Sequence, residues 1–273
     1  MIAYPHIDPV IFFLGPLQVR WYGLMYVLGF LAAWKLVLYQ ARRFGWSQLI
    51  QHIDNLNMAL IIGVILGGRL GYVVFYNLPY YLKHPIEIFY TWHGGMSFHG
   101  GCIGVLTGGL IYCSLHKLDF WKIADTYVAT IPIGLGLGRL GNFINGELFG
   151  RVTEMGWGMI FPGGGPLPRH PSQLYEAFLE GVVLFTILWM VKDKPWRSKS
   201  PRWPHGSLLA LFLIGYGCLR SFVELFREPD QQLGFIFQHL TMGQLLSFSM
   251  AAIGLGLWFF RLKISGADKA TTH

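Results

Sequence analysis

Charge is what this chain has least of. Only 13% of its 273 residues are Asp, Glu, Lys or Arg, and 53% are hydrophobic, whereas a soluble domain carries about a quarter charged residues. Water is therefore excluded as its main solvent. Cysteine is scarce as well: Cys102, Cys113 and Cys218 are odd in number, fall inside apolar runs and have no CxxC spacing, which excludes a disulfide framework and a zinc site. They read as packing residues, with Cys102, one helical turn from His99, as the only candidate for a reactive thiol. The first twenty residues, MIAYPHIDPVIFFLGPLQVR, lack a basic n-region and a small-residue cleavage site, so no removable signal peptide is expected. No repeat of 20 to 50 residues and no low-complexity tract breaks the chain, which reads as one membrane domain over 1–273. No basic stripe with interleaved aromatics lies in a soluble segment, so nucleic acid is not an expected partner.

What the chain does have is long apolar runs. A spanning helix needs about 20 mainly apolar residues, and seven windows qualify: 18–38, 57–76, 95–113, 124–146, 175–191, 207–226 and 241–262. The fold class predicted is an all-α integral membrane protein with about seven transmembrane helices. Glycine is plentiful in the windows at 95–113 and 124–146, where it permits close helix approach. Of the 21 Lys and Arg residues, 12 fall in segments that are cytoplasmic if the N-terminus is outside, 5 in the opposite segments, and Lys35, Arg69, Arg139 and Arg220 within helices. The positive-inside rule then puts the N-terminus in the periplasm and the C-terminus in the cytoplasm. The outer connections are about 77–94, 147–174 and 227–240, the first and last mixing aromatic, aliphatic and charged residues as interfacial segments do. The inner connection KDKPWRSKSPRWPHG reads as a basic topology determinant beside anionic lipid.

With that orientation, the rare polar residues converge on one leaflet. Tyr22 and His99 stand near the outer ends of inward-running helices, while Arg69, Arg139, Asn142, Arg220 and Glu224 stand toward the outer ends of outward-running ones. An ionisable group inside a membrane is a functional hypothesis by default. Tyr216, Arg220, Glu224 and Arg227 are spaced 4, 4 and 3 apart, which makes one polar stripe on a helix. Arg220 with Glu224 is readable as a plain intrahelical pair; two arginines bracketing one carboxylate also leave positive charge for an anion. The run GRLGNFINGELFGR, 138–151, contains part of a GxGxxG pattern, but no strand precedes it and a dinucleotide site is rejected. Its glycines free the backbone, and Arg139, Asn142 and Asn145 are expected to supply donors to phosphate oxygens. His84, His93 and His99 lack zinc-protease spacing, so no metal is expected. The residues alone point to a phospholipid headgroup site in the outer leaflet; another headgroup enzyme and a small-molecule transporter remain alternatives, although transporters usually carry repeats and midplane charges.

The segments HIDPVIFFLGPLQVRWYGLMY, GGRLGYVVFYN, GGMSFHGG, GRLGNFINGELFGR, RHPSQLYE and GYGCLRSFVELFREPD together resemble the bacterial prolipoprotein diacylglyceryl transferase family over nearly the whole chain. The resemblance implies transfer of the sn-1,2-diacylglyceryl group from phosphatidylglycerol to the lipobox cysteine thiol in a preprolipoprotein signal peptide. Glycerol 1-phosphate leaves, no cofactor is used, and the enzyme works in the inner membrane. It further implies roles for Tyr22, His99, Arg139, Asn142, Glu147, Gly150, Arg220 and Glu224, with His99, Arg139 and Arg220 as the catalytic candidates. Tyr22, Arg69, Arg139, Asn142, Asn145, Glu147, Gly150, Tyr216, Glu224 and Arg227 are the expected substrate-binding set. The stretch between Arg151 and Arg169 is short beside longer family versions.

Overall fold

The computed structural model describes residues 2–15, 17–91, 94–197, 203–228, 235–236 and 240–270. His93, most of the outer connection 227–240 and residues 198–202 of the inner basic connection lie outside the described residues. The chain is mostly helical and forms two compact units, Met1–Val37 with Ala124–His273, and Leu38–Ile123. In chain order the elements are strands β1 (Val10–Leu14) and β2 (Leu17–Arg20), then helices α1 (Trp21–Arg43), α2 (Ser47–Tyr76), α3 (Leu78–Lys83) and α4 (Phe98–Leu115). Next come α5 (Phe120–Val128), α6 (Ile131–Ile144), α7 (Ser172–Glu176), α8 (Leu184–Val191), α9 (Lys194–Arg197), α10 (Ser207–Val223), strands β3 (Phe235–Ile236) and β4 (Leu240–Thr241), and α11 (Met242–Ala270).

Among the described residues four stretches are long and apolar enough to cross a membrane: Trp21–Arg43, Ser47–Tyr76, Ser172–Trp196 and Met242–Ser265. His99–Leu115 and Ser207–Val223 are shorter apolar helices. The window 124–146 is not one helix. It divides into α5 and α6 around Ala129 and Thr130, because Pro132 stands in the first turn of α6 and has no N–H to give the carbonyl four residues back. Two short antiparallel hairpins, β1 with β2 and β3 with β4, had no counterpart in the hydropathy reading. The first is closed by pairing of Leu14 with Leu17 and ends at Val10 with Arg20, directly before α1.

In the unit Leu38–Ile123, α2 packs along α4. Gly63, Gly67 and Gly71 on α2 face Gly100, Gly104 and Gly108 on α4, and a Cβ at Gly67 would stand 2.7 Å from the Gly104 Cα. The spacing of four on both helices is the small-residue seam by which membrane helices approach closely. Helix α4 begins at Ser97, whose hydroxyl accepts from the Gly100 N–H at 3.2 Å as an N-cap.

In the other unit, α10 is anchored by Asp125 of α5. That buried carboxylate accepts from the backbone N–H of Gly206 at 2.7 Å and of Leu209 at 3.1 Å, supplying the acceptors a helix N-terminus lacks. Helix α7 runs through a π-helical stretch, Ala177–Val183, into α8. There Gly181 meets Gly136 of α6, and a Cβ on either would fall within 2.8 to 3.1 Å of the other's Cα. This contact brings α6 against the π-helical stretch, and with it the charged residues one turn along.

Candidate active site

The turn after α6 is built by its own polar residues. Asn145 closes the helix and Gly146 follows at φ +67°, a left-handed position that glycine takes without strain. Tyr4 donates its hydroxyl to the carbonyls of Phe143 at 2.7 Å and Ile144 at 3.1 Å, satisfying carbonyls that a helix end leaves open. The amide nitrogens of Asn142 and Asn145 both donate to Glu147 Oε1, at 2.8 and 3.1 Å. Gln173 Nε2 donates to the Glu147 carbonyl at 2.7 Å. Both amides, expected to donate to phosphate, point in this structure at a carboxylate in the same turn. Tyr22 packs its ring on Gly141, and its hydroxyl lies 3.0 Å from that of Tyr26.

Beyond the turn, Gly150 donates its N–H to the His170 carbonyl at 2.8 Å and bridges to Arg227. Arg169 donates to the carbonyls of Gly164 at 2.7 Å and Gly150 at 3.2 Å and pairs with Glu228. Burial holds the His170 imidazole below its ordinary value, so this ring is an uncharged packing partner of Tyr175 and Phe226.

The arginines meet behind this turn. Arg139 Nε of α6 lies 2.7 Å from Glu176 Oε2, and Arg220 Nη1 of α10 lies 2.7 Å from the same oxygen. Arg227 Nη1 reaches Glu176 Oε1 at 3.4 Å. Arg220 also pairs through Nη2 with Glu224 Oε2 at 2.9 Å and faces Glu180 Oε1 at 3.6 Å. Thr241 donates its hydroxyl to Glu224 Oε1 at 3.2 Å. Tyr216 stacks on Phe212, on the same helix as Arg220. The positive charge that the spacing of Arg220, Glu224 and Arg227 left over is therefore met by Glu176 and Glu180, both fully buried. Removing carboxylates from water costs several kcal/mol per ion unless cations and hydrogen bonds compensate; here three guanidinium groups do so. Arg139 gives Glu176 only its Nε–H among the described contacts, which leaves its two terminal nitrogens as donors.

Arg69 and His99 belong to the other unit. Arg69 is buried and donates to four carbonyls, those of Ile88 and Gly94 at 2.7 Å, Gly95 at 3.1 Å and Glu87 at 2.6 Å, with its guanidinium 5.1 Å from the Tyr81 ring centroid. Its donors fasten the backbone at residues 87–88 and 94–95. His99 is exposed in the first turn of α4. Cys113 is buried as packing predicts, but Cys102 and Cys218 are exposed.

Comparison with known proteins decides the family. Residues 9–260 match the family model for prolipoprotein diacylglyceryl transferase. The chain belongs to that family. A phosphatidylglycerol–prolipoprotein diacylglyceryl transferase of Desulfotalea psychrophila is 64% identical over 258 residues, covering 94% of both chains. Relatives of the same name from Geobacter sulfurreducens and Pasteurella multocida are 54% and 53% identical, over 93% and 98% of this chain and 95% and 97% of theirs.

Within this chain, sequence reasoning missed Glu176 and Glu180. Both sit in the fifth apolar window or at its edge, where SQLYEAFLEGVV reads as a spanning helix with incidental acids. The signal was present: two acids four apart share a helix face, and an acid within a membrane window asks for a partner. Gly150 is required by close approach, since a Cβ would collide with the Phe226 carbonyl oxygen and stand 2.8 Å from the His170 Cβ. Gly150→Ala is expected to pry apart the strand-like contact of 150 with 170 and 227, and to lower transfer at least about tenfold, because misplacement of a site by about 1 Å costs that much or more. The check is the initial rate of peptide lipidation; an unchanged rate removes Gly150 from the argument.

Proposed function

We propose that this chain transfers the diacylglyceryl group of phosphatidylglycerol to the lipobox cysteine thiol of a prolipoprotein signal peptide, in the periplasmic leaflet of the bacterial inner membrane. The chain is one polytopic membrane domain with seven spans, its N-terminus periplasmic and its C-terminus cytoplasmic. Family membership over nearly the whole sequence supports the activity. The observation that carries the chemistry is the convergence of Arg139, Arg220 and Arg227 on the single carboxylate of Glu176.

The donor lipid is a phosphodiester, so its leaving group is already charged and needs fixed positive charge more than a proton. Glu176 gathers three guanidinium groups and holds their planes; their remaining N–H groups address the phosphate oxygens. The cysteine thiolate attacks the terminal glyceryl carbon, a C–S bond forms, the C–O bond to phosphate breaks, and its electron pair stays on the phosphate as glycerol 1-phosphate leaves. Fixed donors aimed at that oxygen stabilise the charge as it develops. A free thiol ionises at a pKa of about 8.5, so it needs a base, and His99 is assigned that role. Tyr22 and the Asn142–Asn145–Glu147 turn hold the glycerol hydroxyls and brace Arg139, Glu224 and Tyr216 position Arg220, and Arg69 fixes the backbone at 87–88 and 94–95. No cofactor or metal takes part.

The test is incubation of the purified protein with phosphatidylglycerol labelled in the glyceryl carbons of its diacylglyceryl part and a peptide carrying a lipobox cysteine. Label is expected on the cysteine through a thioether that resists alkaline hydroxylamine. Label on another acceptor, or none on the peptide, would sink the assignment.

A further inference from the structure

Glu180 stands apart from the other acids of the cluster. Its side chain is fully buried on the π-helical stretch, and among the described residues neither carboxylate oxygen has a hydrogen-bond partner. Its nearest cation, Arg220 Nη1, is 3.6 Å away. Glu176, by contrast, takes 2.7 Å contacts from two arginines, and Glu224 is held by Arg220 and Thr241. The groups facing Glu180 are Arg139 from α6, Arg220 and Tyr216 from α10 and Glu176 from α7; α8 carries no titratable residue. Insertions of π-helix are frequent at functional sites.

The connected cluster is balanced: Arg139, Arg220 and Arg227 against Glu176, Glu180 and Glu224. A phosphodiester brings one further negative charge, and an uncompensated charge away from water is costly. Neutrality returns if one carboxylate binds a proton. Protonating Glu176 or Glu224 would break short, charge-assisted contacts; protonating Glu180 breaks none, and gives it an O–H to donate. We infer that Glu180 takes up a proton from solvent when an anionic lipid headgroup enters the arginine cluster. The inference rests on the phospholipid reading of this site. The step forms one O–H bond on the Glu180 carboxylate, its proton leaving hydronium or buffer acid in the solvent. Binding and protonation are reciprocal, so acid tightens the lipid.

The experiment is calorimetric titration of the purified full-length protein with short-chain phosphatidylglycerol, in paired buffers of different ionisation heat, between about pH 5 and about pH 9. The phosphodiester itself does not titrate there. Wild type is expected to take up about one proton per lipid within that range, with Kd rising by up to about tenfold per pH unit where uptake is complete. Glu180→Gln keeps the shape of the protonated acid and is expected to bind with no uptake and a flat Kd. Binding by wild type with no uptake at any pH, or uptake undiminished in Glu180→Gln, overturns the inference and leaves the lipid reading standing. Wild type that neither binds phosphatidylglycerol nor lipidates the peptide takes both down. Should Glu180→Gln not fold, Glu180→Met takes its place, with the same loss of proton uptake expected and undiminished uptake overturning the inference.

Discussion

Arg220→Ala is expected to abolish measurable lipidation and to lower the folded yield as well, the two losses having one origin. Arg220 touches Glu176 at 2.7 Å, Glu224 at 2.9 Å and Glu180 at 3.6 Å, and at least two of these acids have no exposed surface. Removing one partner of a buried ion pair costs about 3 to 5 kcal/mol because the other charge is stranded, out of a total stability of about 5 to 15 kcal/mol. Glu180 and Glu224 lose their nearest arginine in this variant, whereas Glu176 keeps Arg139 and Arg227. Loss of a fixed donor to a developing oxyanion lowers rate by about 100- to 1,000-fold, so the surviving folded fraction is expected to be inactive too. Arg139→Ala removes only one contact to Glu176, which keeps Arg220 and Arg227, and should lose transfer with a smaller drop in melting temperature. Arg220→Lys restores the charge but not the fork that reaches two carboxylates at once, and is expected to recover stability before activity. Thermal melting in detergent beside the lipidation rate separates these outcomes. Wild-type activity and melting in Arg220→Ala would remove the arginine cluster from both roles.

The second large effect belongs to the unit Leu38–Ile123. Gly104→Ala would drive a methyl group into the Gly63 carbonyl and leave it 2.9 Å from the Gly67 Cα. Neither neighbour is a flexible side chain, so only separation of α2 from α4 relieves the clash. Overpacking a well-packed contact costs about 1 to 3 kcal/mol, occasionally more, and opening this seam also forfeits dispersion along six glycines. The expected result is loss of most detergent-extractable folded protein, read as the monodisperse peak in size-exclusion chromatography. Gly101→Ala is the control: its Cβ would meet Val64 O at 3.7 Å, ordinary contact distance, and alanine is the better helix former. Equal yields for the two variants would show that the glycine seam is not what holds α2 to α4.

Much of the site was legible because membrane burial makes polar residues conspicuous. Arg139, Arg220, Glu224 and Arg227 stood out against apolar runs, and the structure does gather them in one cluster. Asn142, Asn145 and Glu147 were legible as a group but not by partner: their spacing of three and two shows proximity, while the direction of each amide depends on how Asn145 and Gly146 turn the chain. Arg69 looked like the other arginines in sequence, yet its donors go to the carbonyls of Glu87, Ile88, Gly94 and Gly95, which no local pattern encodes. Pro132 announced a break that the hydropathy window smoothed over.

The amino-acid sequence alone determined that this is a helical membrane protein and which family it resembles, since long apolar runs need no tertiary context and a dense motif such as GRLGNFINGELFGR has few other readings. Only the tertiary structure decided where the charge goes. Glu176 and Glu180 become the counterions of three arginines because Gly136 and Gly181 let α6 and the π-helical stretch touch, and a contact between chain segments some 40 residues apart depends on packing that no local pattern encodes.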